Sequence, residues 1–261
     1  MSAILIFKLL SAPALILALT IIIRRYSPGI AGLVMGVPLV TGPISVFTAI
    51  EQGSAFAHQA AIGNLVGQVS TCLFGTAFAF ATRRLPTWLS AVCGVGLFAA
   101  ATALWNQFHW TLSSAITLLL SSLAVLALLA PKGAATLGSA VAPKWDLPAR
   151  ILSSMVFVFV ITSSASAVGP QLSGLIAPFP VFVLILLSFI HLHHGAGAAA
   201  AMVRGIILGS LSFASFFVVT ALTVERTGLV PTYGMALLAS LTASTSVYAR
   251  SRAPNSRIAS R

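Results

Sequence analysis

Long apolar stretches, separated by charged residues or by clusters of proline and glycine, cover most of this sequence. A helix crosses the hydrocarbon core of a membrane with about 20 apolar residues, and nine segments reach or approach that length. They are residues 3–23, 30–50, 57–81, 87–105, 110–130, 151–168, 172–192, 198–223 and 229–248. The pattern therefore predicts an all-α polytopic membrane protein with nine transmembrane helices.

The connections between these segments are short, apart from residues 131–150 and the tail 249–261, so we expect the protein to act within the membrane. The composition agrees, because only 7% of the residues are charged, against about 25% in soluble domains. The first segment lacks a basic region before it, and Arg24 and Arg25 follow it, which favours a retained helix over a cleaved signal peptide.

The formal net charge of +11 comes from basic residues that fall mostly at the ends of predicted helices. Their positions therefore indicate how the protein is oriented in the membrane. Nucleic-acid binding is therefore not expected. With nine helices, one side receives Arg24, Arg25, Arg83, Arg84, Lys132, Lys144, Arg150, Arg250, Arg252, Arg257 and Arg261. Lys and Arg collect in cytoplasmic loops, so the N-terminus is predicted outside and the C-terminus in the cytoplasm.

The sequence also matches itself without a gap when it is shifted so that Pro28 lies on Pro170, and we call this shift the repeat offset. The further matches are Gly32 with Gly174, Leu33 with Leu175, Pro38 with Pro180, Phe47 with Phe189, Gly53 with Gly195, Gly63 with Gly205, Gly67 with Gly209, Ser70 with Ser212, Phe74 with Phe216 and Arg84 with Arg226. Glycine and proline recur far more often than the roughly one pair expected by chance, which indicates a duplication.

Matched helices are five helices apart, and an odd number turns the second copy upside down relative to the first. We therefore predict two inverted four-helix repeats joined by a connecting helix, a 4+1+4 arrangement. The predicted units are a first repeat at 1–109, a connecting helix at 110–130, a cytoplasmic loop at 131–150, a second repeat at 151–248 and a basic tail at 249–261.

Helix-breaking residues occur at one place in both copies: Pro38 and Pro43 in the first, Pro178 and Pro180 in the second. In inverted-repeat transporters, paired interruptions of this kind expose backbone groups near the midplane that bind substrate. The alternative is that the prolines only kink the helices, since membrane helices are rich in proline.

Part of the second copy resembles the GlpM-like small bacterial inner-membrane proteins. The resemblance rests on Gly174-Leu175-Ile176, on Phe179-Pro180-Val181-Phe182 and on Gly195, and it is fainter around Ile30-Ala31-Gly32-Leu33-Val34. It implies a fused, doubled version of a four-helix unit in the bacterial inner membrane, associated with envelope polysaccharide (alginate) production, and it leaves a homodimer open. It carries over no biochemical activity and no functional residues.

Three polar residues inside predicted helices are candidate substrate ligands. Arg204 either anchors an anionic substrate through its guanidinium group or extends along the helix to the lipid headgroups. Asn64 and Gln68 share a helix face one step round from Gly63 and Gly67. They either form hydrogen bonds across a close helix contact or line a cavity.

Other candidates lie near helix ends. Glu51 and His58 flank a predicted outer loop, where they either relay protons or are simply solvated. His191, His193 and His194 lack a nearby acid or cysteine that would complete a metal site, so no metal is expected. Since no motif of a known enzyme class or cofactor site occurs, the protein is expected to be neither an enzyme nor a cofactor carrier.

The leading hypothesis is an inverted-repeat permease with alternating access around a midplane site, whose partners are the lipid bilayer and a small anionic or lipid-like solute. The alternative is a non-transporting scaffold or assembly component of envelope polysaccharide production.

Overall fold

The computed structural model describes residues 28–35, 37–38, 41–133 and 180–252, together with the single positions 17, 21, 148 and 152. Its helices are α1 (Pro28–Met35), α2 (Thr41–Gln52), α3 (Ser54–Ala81), α4 (Thr87–Trp105), α5 (Leu112–Leu129), α6 (Val181–Thr227) and α7 (Leu229–Arg252). Within that part of the chain the regular structure is all helical.

Four of these helices are long and apolar enough to cross a membrane: α3, α4, α5 and most of α6. The expectation of an all-α protein with several membrane-spanning helices is thus met. The predicted segments 3–23 and 151–168, the loop after residue 133 and the tail after residue 252 lie outside the described residues, so the full set of nine helices stays a prediction.

The predicted helix 30–50 is two helices in the structure, because Val37 and Pro38 lie between α1 and α2 outside either helix. Proline lacks the N–H that a continuing helix needs and restricts the residue before it. Pro43 does not break α2, since it falls in the first turn, where that N–H has no partner within the helix.

The prediction of separate helices at 172–192 and 198–223 is confirmed for the described residues, which begin here at Pro180, although the break between the helices is narrower than predicted. The range Val181–Thr227 of α6 holds two helices that meet at a kink, where Gly195 is non-helical with φ 77° and ψ −178°. Glycine adopts positive φ at little cost, so one residue is enough to redirect the chain. We call residues 181–194 α6a and residues 196–227 α6b.

Helices α3 and α6b form the centre of the molecule and run antiparallel. The largest fully buried side chains include Phe74 and Phe78 of α3 and Met202 and Phe217 of α6b, all of which belong to one core cluster. Small residues let the two backbones approach closely. A side-chain carbon added at Gly75, for example, would lie 3.4 Å from Val203.

Helices α4, α5 and α7 lie outside this pair and present apolar side chains such as Leu128 and Val230 to the surroundings, each more than four-fifths exposed. On α4, Trp88 stands at one end and Trp105 at the other. At 1.5 Å per residue they are about 26 Å apart, close to the thickness of a hydrocarbon core. Tryptophan favours the two membrane–water interfaces.

Positions matched by the repeat offset have related backbone roles. Gly53 precedes α3 with φ 87°, and Gly195 precedes α6b with φ 77°. Likewise α4 begins at Thr87 and α7 at Leu229. In the helices that precede these, the amide of Gly42 donates to the carbonyl of Pro38 at 2.9 Å, and the amide of Leu184 donates to that of Pro180 at 2.7 Å.

The two glycines also define two sides of the molecule. On the Gly53 side, His58 of α3 contacts the carbonyl of Ala221 near the end of α6b. On the Gly195 side, Thr87 at the start of α4 contacts His191 near the end of α6a. In the part of the chain that the structure describes, Arg226 is the basic residue on the Gly53 side, and the rest lie towards the Gly195 side: Arg83, Arg84, Lys132, Arg204, Arg250 and Arg252.

Candidate functional site

A buried polar group joins the two central helices halfway along their length. Gln68 of α3 donates a hydrogen bond from Nε2 to Ser210 Oγ of α6b at 2.8 Å, and Cys72 Sγ lies 3.3 Å from the same oxygen. Ser210 in turn donates to the carbonyl of Ile206 in its own helix. Gln68 and Ser210 are themselves separated by the repeat offset, so matched positions of the predicted repeats meet here.

Asn64 lies one helical turn before Gln68 on the same face and is 5% exposed. Its Nδ2 donates to the carbonyl of Ala60 at 2.8 Å, which directs the amide along its own helix. No donor among the described residues reaches its Oδ1. The sequence left open whether Asn64 and Gln68 bond across the seam or line a cavity. Gln68 bonds across the seam, and Asn64 keeps a buried acceptor.

The predicted breaker Pro180 stands immediately before α6a, and Pro38 lies three residues before the start of α2, where its carbonyl accepts from the amide of Gly42. Helix α2 has 12 residues and is about 18 Å long, and α6a, with two residues more, is about 21 Å long. Each helix is therefore somewhat longer than half of the roughly 30 Å hydrocarbon core. Pro178 lies outside the described residues.

The first turns of α2 face α6b and α7. A side-chain carbon at Gly42 would lie 3.3 Å from the ring of Phe216, and that ring packs near Tyr233 of α7. Tyr233 donates from its hydroxyl to the carbonyl of Ser45 at 2.8 Å, and the two side-chain oxygens are 2.9 Å apart. This pair fixes the short helix α2 to α7.

On the Gly195 side, α6a ends against the turn between α3 and α4. His191 Nδ1 lies 2.9 Å from Thr87 Oγ1, and its ring lies near the backbone of Thr82, the residue that follows α3. Phe78 meets the same ring edge-on. We call Thr82, Thr87 and His191 the Gly195-side cluster. Among the described residues, no group of three His, Cys, Asp or Glu side chains is placed to hold a metal ion.

On the Gly53 side, α2 ends against the junction of α6b and α7 through apolar residues. Ala49, Ala57 and Val224 form a small buried cluster, and Leu229 and Tyr233 pack against it. We call Ala49, Val224 and Leu229 the Gly53-side cluster. The repeat offset places its members on His191, Thr82 and Thr87 respectively, so the two clusters occupy matched positions.

Arg204 lies apart from this central group, on a different face of α6b. Its Nη1 donates to the carbonyl of Ala130 at 3.1 Å, the residue that ends α5. A cation at a helix C-terminus interacts favourably with the exposed carbonyl groups there. In this structure the guanidinium therefore fastens α5 to α6b, and its predicted contact with substrate stays a prediction.

The predicted relay pair, Glu51 and His58, does not form an ion pair in the described structure. Glu51 is exposed at the end of α2, and His58 Nδ1 donates to the Ala221 carbonyl at 2.7 Å. The second contact means that Nδ1 carries a proton. His58 therefore ties α3 to α6b on the Gly53 side, and a role in proton transfer stays a prediction.

Comparison with known proteins identifies no relative of this chain, so the candidate site is described from its geometry alone. No family model, no curated protein and no solved structure matches this chain. Sequence reasoning missed the contacts of Ser45 with Tyr233 and of Thr87 with His191, because such pairs depend on how helices face one another. The repeat offset does, however, pair Gln68 with Ser210, and it is the signal that could have found that contact.

Proposed function

We propose that the protein is an inverted-repeat permease of a bacterial inner membrane. Two short helices, α2 and α6a, begin near the midplane. The central helices α3 and α6b cross where Gln68 meets Ser210. The observation that carries this proposal is the pairing at the repeat offset: matched prolines start the two short helices, and matched residues meet at the centre. Contact between a position and its own match is what a two-fold axis within the membrane plane requires.

Further pairs support two inverted copies. Ser70 accepts a hydrogen bond from Thr102 of α4, and the matched Ser212 bonds both oxygens of Ser240 of α7. In each copy, the central helix is thus tied to the next helix by a hydroxyl at the same position. A shared ancestor accounts for this more simply than two independent origins.

The proposed substrate is a small anionic or lipid-like solute. The first amides of a helix have no partner within that helix and carry partial positive charge, so two helix N-termini near the midplane suit an anion. The only acids in the described residues, Glu51 and Glu225, lie near the Gly53 side, so the described part of the interior offers no carboxylate to bind a cation.

The distribution of charge supports an orientation. Basic residues lie mainly towards the Gly195 side, and cytoplasmic loops collect Lys and Arg. We therefore assign the Gly195 side to the cytoplasm, with the N-terminus outside and the C-terminus in the cytoplasm. The resemblance to GlpM-like proteins is compatible with the same membrane.

One observation favours the alternative, a scaffold component of envelope polysaccharide production. The centre is tightly packed, since Phe74, Phe78 and Phe217 are almost wholly buried at the crossing of α3 and α6b. A scaffold needs only such a rigid centre. A permease needs the same centre to admit water to the midplane in turn from each side.

Thiol accessibility separates the two proposals. Thr41 and Val183 occupy matched positions at the starts of α2 and α6a. Each would be changed to cysteine in a protein carrying Cys72→Ser and Cys93→Ser, and a membrane-impermeant maleimide would be applied to either face of sealed vesicles. The permease predicts labelling of both reporters, slowed by small anions such as inorganic phosphate. Complete protection of both reporters in folded protein would instead support the scaffold.

A further inference from the structure

The Gly195-side and Gly53-side clusters join the same kinds of elements. In each, the end of a short helix from one copy meets the end of the central helix and the start of the last helix of the other copy. The participants are α6a with α3 and α4 on one side, and α2 with α6b and α7 on the other. Each cluster thus joins the helices between one surface of the molecule and the level at which the short helix begins.

The chemistry of the two clusters differs although their positions match. The Gly195-side cluster is polar, because the imidazole of His191 contacts the hydroxyl of Thr87. The Gly53-side cluster places alanine, valine and leucine at the corresponding positions. Its hydrogen bonds lie deeper, where Tyr233 meets Ser45 about two turns before the end of α2.

From this arrangement we infer that the two clusters are the gates of the permease, the Gly195-side gate latched by His191 with Thr87 and the Gly53-side gate by Tyr233 with Ser45. The inference rests on the proposed function, since only a transporter needs two gates. In this structure both latches are closed, which corresponds to an occluded state. Alternating access then requires one latch to open while the other stays shut.

Opening the Gly195-side gate means moving the end of α6a away from the start of α4, with Gly195 as the flexible point. Gly195 has φ 77°, and an added side-chain carbon there would meet no atom within 4 Å, so no side chain packs against that side of its backbone. Gly53 is placed identically at the end of α2, with φ 87° and the same free space. Each gate thus has a glycine next to it that can absorb the motion.

Two conservative variants test the latches separately. Thr87→Val keeps the shape of the side chain but removes the hydroxyl that contacts His191, and Tyr233→Phe removes the hydroxyl that contacts Ser45. Losing one hydrogen bond shifts a two-state equilibrium by about three- to tenfold. Thr245→Val is the matched control, because that hydroxyl is exposed and bonds the carbonyls of its own helix.

The readout is the rate at which a membrane-impermeant maleimide labels Val183→Cys or Thr41→Cys from each face, in the background without native cysteines. We expect Thr87→Val to raise labelling from the Gly195 side about three- to tenfold, and Tyr233→Phe to raise it from the Gly53 side by a similar factor. Thr245→Val should change neither rate. Thermal unfolding in detergent verifies that each variant is folded.

The outcomes separate this inference from the proposed function. If the reporters label in the background protein but neither latch variant changes the sidedness, the gates are not at these clusters and the permease stands. If both variants raise labelling from both sides equally, the latches hold the fold together and are not gates. If the reporters stay protected from both sides in every folded protein, the inference and the permease fall together.

Discussion

The central helices α3 and α6b differ from the outer helix α5 in that some of their polar side chains bond another helix. Of the most apolar stretch of α3, 78% is buried, against 22% for α5. Gln68 of α3 bonds a residue of another helix, whereas Thr117 and Ser121 of α5 bond carbonyls of α5 itself. A hydroxyl facing lipid must be satisfied within its own helix. Polar groups that reach across helices therefore mark where the helices are fixed to one another.

The largest effect should come from removing packing at the centre. Phe217 is fully buried, and Phe217→Ala should lower the free energy of unfolding by about 3–5 kcal/mol through the cavity it leaves. Leu128 is 85% exposed on α5, and Leu128→Ala should change stability by less than about 0.5 kcal/mol. Denaturant unfolding in detergent measures the free energy of unfolding of each variant. Equal decreases for the two variants would show that the central and outer helices do not differ in packing.

A smaller effect is expected where α4 approaches the centre. A side-chain carbon at Gly94 would lie 2.8 Å from the ring of Phe74 and 3.1 Å from its carbonyl oxygen, whereas one at Gly96 would meet nothing within 4 Å. Gly94→Ala should therefore destabilise by about 1–3 kcal/mol. Gly96→Ala, two residues away in the same helix, should be neutral or stabilising by up to about 1 kcal/mol. Melting temperatures that rise for both variants would show that α4 packs differently.

The hydrogen bond at the crossing should contribute less again, because interhelical hydrogen bonds in membranes average about 0.6 kcal/mol. A double-mutant cycle with Gln68→Leu and Ser210→Ala should give a coupling energy of about 0.5–2 kcal/mol. The control cycle combines Thr117→Val with Ser210→Ala. It should give no coupling energy, because the Thr117 hydroxyl bonds within α5. Zero coupling in the first cycle would show that Gln68 and Ser210 do not interact in the folded protein.

The smallest effect is expected at Arg204. Arg204→Met removes the donor to the Ala130 carbonyl and should cost about 0.3–1 kcal/mol, the usual contribution of a cation at a helix C-terminus. Arg204→Lys should recover much of that, since lysine also reaches C-terminal carbonyls. If Arg204→Met left stability unchanged but abolished binding of inorganic phosphate, measured by titration calorimetry, the arginine would be a substrate ligand after all.

The sequence was a good guide to helix positions where membrane length and charge set the limits. The predicted helix 87–105 agrees with α4, which begins after Pro86 and ends before Asn106. Helix α3 starts at Ser54, three residues earlier than predicted, because Gly53 allows an abrupt start. The narrowness of the break at Gly195, a single non-helical residue, was missed, since apolarity alone cannot tell a kink from a loop.

Side-chain partners were harder to predict than helices. The sequence placed Arg204 inside the membrane, but its partner Ala130 is 74 residues away and is identified only by how α5 lies on α6b. Asn64 and Gln68 share a helix face, yet their contacts differ. The Gln68 amide reaches Ser210 on the neighbouring helix, whereas the Asn64 amide donates to Ala60 in its own helix. Periodicity gives the face of a helix, and packing decides what that face meets.

The measurement that tests the account most directly is to lock one gate and probe the midplane from both sides. Thr87→Cys and His191→Cys would be bridged by a short bis-maleimide, and Thr41→Cys would then be labelled from each face with an impermeant maleimide of different mass. We predict that the bridge stops labelling from the Gly195 side and preserves or raises labelling from the Gly53 side. Labelling that continues unchanged from both faces, or stops from both, would contradict alternating access in this protein.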